Sequence, residues 1–412
     1  MNNVTLSKPQ GDLAGNSKVT GVGAKPVAPF AGADPKAPPP FTLPDFNELQ
    51  ARITASTPAD VERALQRSRR SSADLAALLS PAAEPRLAEL AATAGRITRQ
   101  RFGRVIQLYA PLYLSSYCAN RCLYCGFSVD NQIPRRVLDL AEAEKEALIL
   151  AERGFSHILL VTGEAPSRLG VDYLAELAGR LRHSFASISI EVQPLAMADY
   201  ARLFAAGITG VAVYQETYDR QTYTRVHVAG LKADYDRRLE IPARVAMAGM
   251  REVGLGALLG LADWRTEGLA LGLHLAYLRK LAWRTAVTVS FPRLRPATGS
   301  FAPLVPVNEK NLSQLLFALR LFDEDVGLVL STREEARFRD GMIGLAPTRY
   351  SAGSCTVPGG YGDTGATGEQ FSIGDQRSIE EVAAAIRAKG FDPVRKDWDP
   401  VFQETDNRAT AG

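Results

Sequence analysis

From residue 104 onward the chain alternates short β-rich runs with longer helical stretches, and this alternation restricts the fold more than any other feature. Successive strands separated by helices pair in parallel through crossover connections. Eight runs can be counted, at 105–114, 157–162, 187–192, 210–214, 255–261, 286–291, 325–330 and, more weakly, 342–347. An open doubly wound sheet holds about six strands. Eight units in series therefore predict an α/β fold, a (β/α)8 barrel of the TIM type, over residues 104–355.

Chemically active residues follow the end of nearly every run. Cys118, Cys122 and Cys125 follow the first, Gly163-Glu164 the second, Gln193-Pro194 the third and Gln215-Glu216 the fourth. Asp263-Trp264-Arg265 follow the fifth, Pro292-Arg293 and Arg295 the sixth, Ser331 to Glu334 the seventh, and Tyr350 to Ser354 the eighth. Loops are polar in general. In a βα barrel, however, these ends meet on one face, where active sites lie. The barrel thus gathers scattered residues into one candidate site.

The flanks carry no comparable chemistry. Residues 1–42 are rich in Pro, Ala and Gly and bury too little apolar surface to order themselves, so they read as a disordered extension. Residues 43–103 read as helices. Thr57-Pro58 with Asp60 opens one, Ser72 with Asp74 a second, and 85–102 forms a third, with Leu87, Leu90, Ala91 and Ala94 at helical spacing. After the barrel, 356–412 holds a Gly/Thr-rich loop, a helix opened by Ser378 and closed by Lys389-Gly390, an extended segment over 391–398 and a frayed tail over 405–412. A net charge of +3 gives no reason to expect nucleic acid or an anionic membrane as partner. No apolar run is long enough to span a bilayer.

Three of the four cysteines in 412 residues fall within eight positions, in Cys118-Ala-Asn-Arg-Cys122-Leu-Tyr-Cys125. Thiolates on one short loop are metal ligands by type. Three ligands with no fourth nearby leave one coordination position open, as catalytic centres do and closed structural ones do not. An iron–sulfur centre is the leading expectation; zinc or reduced core cysteines are the alternatives. With one distant cysteine left over, Cys355, no disulfide framework is expected, and a reducing cytoplasm fits.

The spacing C-x3-C-x2-C, with Tyr124 before the last cysteine, identifies a member of the radical S-adenosylmethionine enzymes. Stretches 112–127, 161–165, 191–195, 214–218, 260–265, 290–296, 331–334, 351–354 and 359–361 extend the resemblance over roughly 45–400. Together they resemble the 2-iminoacetate synthase family, the tyrosine lyases of thiamine biosynthesis. The resemblance implies a [4Fe-4S] cluster on Cys118, Cys122 and Cys125, with S-adenosylmethionine on the open iron. Glu164 would accept from the amino group of S-adenosylmethionine and Tyr124 would lie along its adenine. Gln193, Glu216 and Arg237 would contact its ribose or carboxylate. The implied reaction cleaves the Cα–Cβ bond of L-tyrosine to 2-iminoacetate and p-cresol, leaving 5′-deoxyadenosine and methionine.

A substrate carboxylate calls for a planar double donor, so Arg333 is the first candidate and Arg293 the second, with Ser351 and Tyr113 as helpers. The expected partners are a thiazole synthase subunit and a flavodoxin-type electron donor. Structural roles are expected for His157 and His183, and His227 and His274 lie in family-like stretches. Two related lyases are the nearest alternatives. The hydrogenase-maturation tyrosine lyase carries a second cluster on C-terminal cysteines, which Cys355 alone cannot build. A tryptophan lyase differs only in pocket shape. From another class, a non-enzymatic zinc protein would use all four cysteines.

Overall fold

The computed structural model describes residues 38–362 and 368–395. Residues 1–37 of the expected extension, 363–367 of the Gly/Thr-rich loop, and everything from 396, including the tail expected at 405–412, lie outside the described residues.

Among the described residues four α-helices precede the barrel: α1 (Phe46–Thr54), α2 (Pro58–Gln66), α3 (Ser72–Leu79) and α4 (Leu87–Phe102). Thr57 and Asp60 form a reciprocal capping box on α2. Ser71, rather than Ser72, caps α3, because the capping hydroxyl must precede the first turn to reach the Asp74 N–H. On α4, Leu90, Ala94 and Ile97 recur at 3–4-residue spacing and are fully buried.

The barrel strands are β1 (Val105–Ser115), β3 (His157–Thr162), β4 (Ser187–Glu191), β5 (Gly210–Ala212), β7 (Glu252–Gly256), β8 (Ala286–Ser290), β9 (Gly327–Leu330) and β10 (Arg349–Ser351). They pair in that order, all parallel, and β10 returns to β1 to close the ring. A short β11 (Asp392–Val394) adds to the start of β1. Outside the ring, β2 (Arg121–Cys122) pairs antiparallel with β6 (His227–Ala229). Among the described residues nine α-helices follow or cover the strands: α5 (Leu140–Glu152), α6 (Val171–Leu181), α7 (Met197–Ala206), α8 (Arg220–Val226), α9 (Tyr235–Met247), α10 (Trp264–Leu281), α11 (Glu309–Phe322), α12 (Ala336–Met342) and α13 (Ile379–Ala388). The early helices pack on α10 and α11.

Strand β1 shows how the sequence divides its two faces. Leu108, Ala110, Leu112 and Leu114 are fully buried in the main apolar core, each leucine contributing about 2 kcal/mol. The alternate residues Tyr109, Pro111 and Tyr113 line the barrel's interior cavity.

Two strand expectations need correction. The fifth strand begins at Glu252 and ends at Gly256, so most of the apolar run 255–261 is loop. The eighth strand is β10, not 342–347. That apolar run is the end of α12 and a turn at Gly344 (φ 79°), with Met342, Ile343 and Ala346 buried beneath the barrel wall. Burial explains its apolar composition without any strand.

Candidate active site

The C-terminal strand ends open into one cavity. Cys118, Cys122, Cys125, Tyr124, Tyr113, Glu164, Glu216, Arg333 and Ser351 all line it. Gln193, Arg237 and Arg293 do not.

Strand β1 delivers the cysteine loop, and β3 supports it. The Gly163 N–H donates to the Ser115 carbonyl (3.0 Å) and the Ala119 N–H to the Glu164 carbonyl (2.9 Å). A side chain at Gly163 would place its Cβ 2.2 Å from the Tyr117 carbonyl oxygen, so only glycine permits this approach. The β2–β6 pair ties the far side of the loop to the chain after β5.

Cys122 is buried, and Cys118 and Cys125 are half-buried. Burial pushes the Cys122 and Cys125 thiols up, and the neighbouring thiols add to this while Lys232 opposes it. A cationic centre relieves this mutual penalty. Two donors point at the sulfurs: the Asn120 N–H at Cys118 Sγ (3.4 Å) and Gln370 Nε2 at Cys125 Sγ (3.9 Å). Three cysteines, two of them with N–H donors at sulfur, fit an iron–sulfur cluster. Cys355 does not join them: its Sγ faces the Val357 carbonyl (3.8 Å), while its neighbours Ser354 and Thr356 line the cavity. Among the described residues, no three His, Cys, Asp or Glu side chains are grouped to hold a metal ion.

Glu164 is buried, accepting from Arg238 Nη1 (2.8 Å) and Asn120 Nδ2 (2.7 Å). Burial alone would raise its carboxyl, but the charges of Arg238 and Lys232 and these hydrogen bonds hold it below the usual range. Arg238 also donates from Nε to the Tyr214 carbonyl (2.6 Å). Arg237, the expected residue, is exposed on the other side of α9. One residue is 100° of helix, enough to exchange cavity for solvent. Glu216 accepts from Lys232 Nζ (2.7 Å). It has φ 70°, and among the described residues it is the one non-glycine with positive φ, a strained backbone at the site.

The two candidate arginines separate clearly. Arg293 donates from Nε to both Glu334 oxygens (3.0 and 2.9 Å) and from Nη1 to the Val307 carbonyl (3.1 Å). Its fork is satisfied within the protein. Arg333 stacks over Phe371, 3.3 Å from the ring centroid, and among the described residues it makes no ion pair. Its one hydrogen bond from the guanidinium goes to the Arg293 carbonyl (3.4 Å). Nearby, Tyr113 donates to Gln370 Oε1 (2.6 Å), and Ser351 Oγ accepts from the Thr332 N–H (2.9 Å).

Gln193 is turned away, donating to the Leu169 carbonyl (3.0 Å). The His227 ring holds Tyr124 in place. Its Nδ1 lies 3.0 Å from the Tyr223 carbonyl and so carries the proton, which leaves Nε2 to accept from the Tyr124 hydroxyl (2.8 Å). His157 and His274 are buried against Ser189 and Tyr218, and His183 is exposed.

Sequence reasoning missed Asn120, Glu191, Lys232, Arg238, Gln370 and Phe371, all of which line the site. Asn120 sits inside the cysteine motif and Glu191 falls next to last in the third predicted run, so both carried a positional signal. The others lie on loops or on one helix face, where only the fold reveals them. Glu191 has no hydrogen bond or ion pair among the described residues. Burial and the Glu216 charge push its carboxyl up to about 7, against Lys232, Arg333 and Arg238.

The Radical SAM superfamily pattern matches residues 112–269, and the Biotin and Thiamin Synthesis associated domain matches 290–392. The chain is 48% identical to 2-iminoacetate synthase of Escherichia coli (strain K12) over 365 residues, 88% of this chain and 97% of that protein. It is 47% identical to the enzyme of the same name from Salmonella typhimurium, over 86% of this chain and 94% of that one. The chain belongs to the 2-iminoacetate synthase family. Among solved structures, HydG, a maturase of the [FeFe]-hydrogenase, superposes with a TM-score of 0.79 at 31% identity, over 85% of this chain and 79% of that one. A 2-iminoacetate synthase family member is a radical SAM lyase, which sets aside the non-enzymatic zinc reading. Among the described residues no helix is long and apolar enough to cross a membrane.

Proposed function

We propose that this family member cleaves the Cα–Cβ bond of L-tyrosine, with substrate and cofactors seated in the cavity above β1–β10. Cys118, Cys122 and Cys125 would hold a [4Fe-4S] cluster. With S-adenosylmethionine bound, that centre supplies a one-electron cleavage of the sulfonium C–S bond and so a carbon radical able to take hydrogen from the tyrosine amino group.

The chain's own residues bind, orient and shield. Glu164, kept anionic by Arg238 and Lys232, is a fixed acceptor for a cationic amino group. Tyr124, pinned by His227, offers an aromatic wall against which a flat base can lie. Arg333 offers its planar fork to the tyrosine carboxylate, backed by Ser351 and Tyr113. Glu191 is the group able to exchange a proton near neutral pH, and p-cresol formation takes up a proton as well as an electron. The buried lining excludes water from radical intermediates.

The observation that carries this reading is a half-buried arginine, Arg333, without a carboxylate partner among the described residues, facing the same cavity as three cysteines and a fixed anion. A thiazole synthase subunit as acceptor of 2-iminoacetate, an imine labile in water, and a flavodoxin-type donor complete the proposal. The test is anaerobic reconstitution with iron, sulfide, S-adenosylmethionine and reductant, offering tyrosine or tryptophan. p-Cresol from tyrosine supports the reading; an indole product from tryptophan, without p-cresol, replaces it with the tryptophan-lyase alternative.

A further inference from the structure

Eight large apolar side chains are exposed among the described residues, and half of them surround the cysteine loop. They are Leu123, Val129, Val228 and Leu231, each 44–50% exposed. One backbone frame holds them together. The Leu123 N–H donates to the Val226 carbonyl (3.0 Å) and the Val129 N–H to the Asn120 carbonyl (3.0 Å). β2 pairs with β6, which carries Val228, and the Lys232 N–H donates to Asn120 Oδ1 (3.0 Å) just after Leu231. Gly230, at φ 95°, brings the two segments close: a Cβ there would lie 2.3 Å from Asn120 Oδ1. Scattered exposed apolar residues need no explanation, but four on one frame do.

The charge around them is unbalanced. Asp130 is matched by Arg121 (2.8 Å), and Asp234 caps α9. Arg225, beside β6, is exposed and has no ion pair among the described residues. Arg168 is exposed beside the loop, stacks on Tyr117 and likewise has none. Unpaired arginines around a small apolar centre suit a brief encounter with an acidic surface, where charge steers association and the apolar contact stays small. Leu123 lies between Cys122 and Cys125 in sequence, so a carrier seated here rests against the loop that carries the cluster ligands.

We propose that Leu123, Val129, Val228 and Leu231, with Arg225 and Arg168, form the docking surface for a small acidic one-electron carrier protein. This rests on the cluster assignment above. The carrier gives up one electron through the loop to the oxidised centre, and its own cofactor is oxidised by one electron in exchange.

The test compares two reductants on the reconstituted full chain: dithionite, which needs no docking, and a purified acidic flavodoxin with its reductase. Val228→Glu/Leu231→Glu lies outside the cysteine motif. With it, 5′-deoxyadenosine formation driven by flavodoxin falls about tenfold, while iron content and the dithionite-driven rate stay within twofold. Arg225→Glu flattens the salt dependence of the flavodoxin-driven rate. Equal rates with flavodoxin for variant and wild type overturn the proposal, as does a parallel loss with both reductants. A wild-type dimer that the double substitution dissociates would also overturn it, by assigning the patch to a second copy. No product from wild type with dithionite would instead sink the cluster reading itself, so the two failures are distinguishable.

Discussion

In the lower half of the barrel Arg349 meets Glu252 through two parallel hydrogen bonds (2.6 and 2.7 Å) and Gln107 through a third (2.7 Å). In the upper half, among the described residues, Arg333 lines the cavity without an anion and Glu191 lines it without a cation. Both halves lie inside the barrel and both hold arginine and glutamate; Tyr109 and Tyr214 border the spaces on either side. The difference is satisfaction. A buried charge that finds its partner inside the chain serves the fold, and one left over is available to a ligand. Arg293 lies close to Arg333 yet belongs with the lower group, because Glu334 occupies its fork.

The largest effect is expected where no residue can compensate. Cys122→Ser should abolish both iron retention and 5′-deoxyadenosine formation while far-UV circular dichroism stays that of the wild-type apoprotein. Retained iron with full turnover would remove Cys122 from the centre. Next, Glu252→Gln leaves Arg349 buried beside a neutral partner and should cost about 3–5 kcal/mol in urea unfolding, with tyrosine KM unchanged. A change in KM without lost stability would erase the distinction between the halves. Glu191→Gln should do the reverse, lowering turnover roughly 100-fold with stability intact.

How much of this was legible beforehand depended on how far each signal reached along the chain. The cysteine spacing and Glu164 are local patterns tied to a strand end, and the eightfold alternation placed them on one face. The choice between Arg237 and Arg238 was not legible, because helix phase depends on what α9 packs against. The eighth strand was misplaced because the apolar run 342–347 buries itself as a helix end and turn, while the true strand holds a charged residue, Arg349, whose partner lies 97 positions away. Lys232 and Gln370 became visible only when loops from different strands met.

The smallest expected effect is a pH dependence of stability in the apoprotein. His157, His227 and His274 are held neutral by burial, at about 3, 2 and 3, so the unfolded chain binds more protons below its histidine pKa of 6.5 and stability falls as pH drops through that range. Glu191 and Glu267 act oppositely. Burial lifts them to about 7 and about 8, so they bind protons in the fold and lose stability as pH rises above 4.5. Between pH 5 and 6 the three histidines outweigh the two carboxyls by one proton, about 1.4 kcal/mol per pH unit. Above about 6.5 the carboxyls outweigh the histidines. Thermal unfolding across pH 5–8 should therefore peak near 6.5; a steady rise to pH 8 would show that these carboxyls are ionised in the fold.

The contrast between free and paired arginine is tested most directly by equilibrium binding of tyrosine to the reconstituted enzyme with S-adenosylmethionine present, in Arg333→Ala and Arg293→Ala side by side. Arg333→Ala should weaken tyrosine roughly 30-fold, the loss of one charge-assisted contact worth about 2 kcal/mol. Arg293→Ala should lower stability while leaving tyrosine affinity within about twofold for a protein that still folds. Unchanged affinity in Arg333→Ala, or equal weakening in both, would contradict the assignment of the unpaired arginine to the substrate.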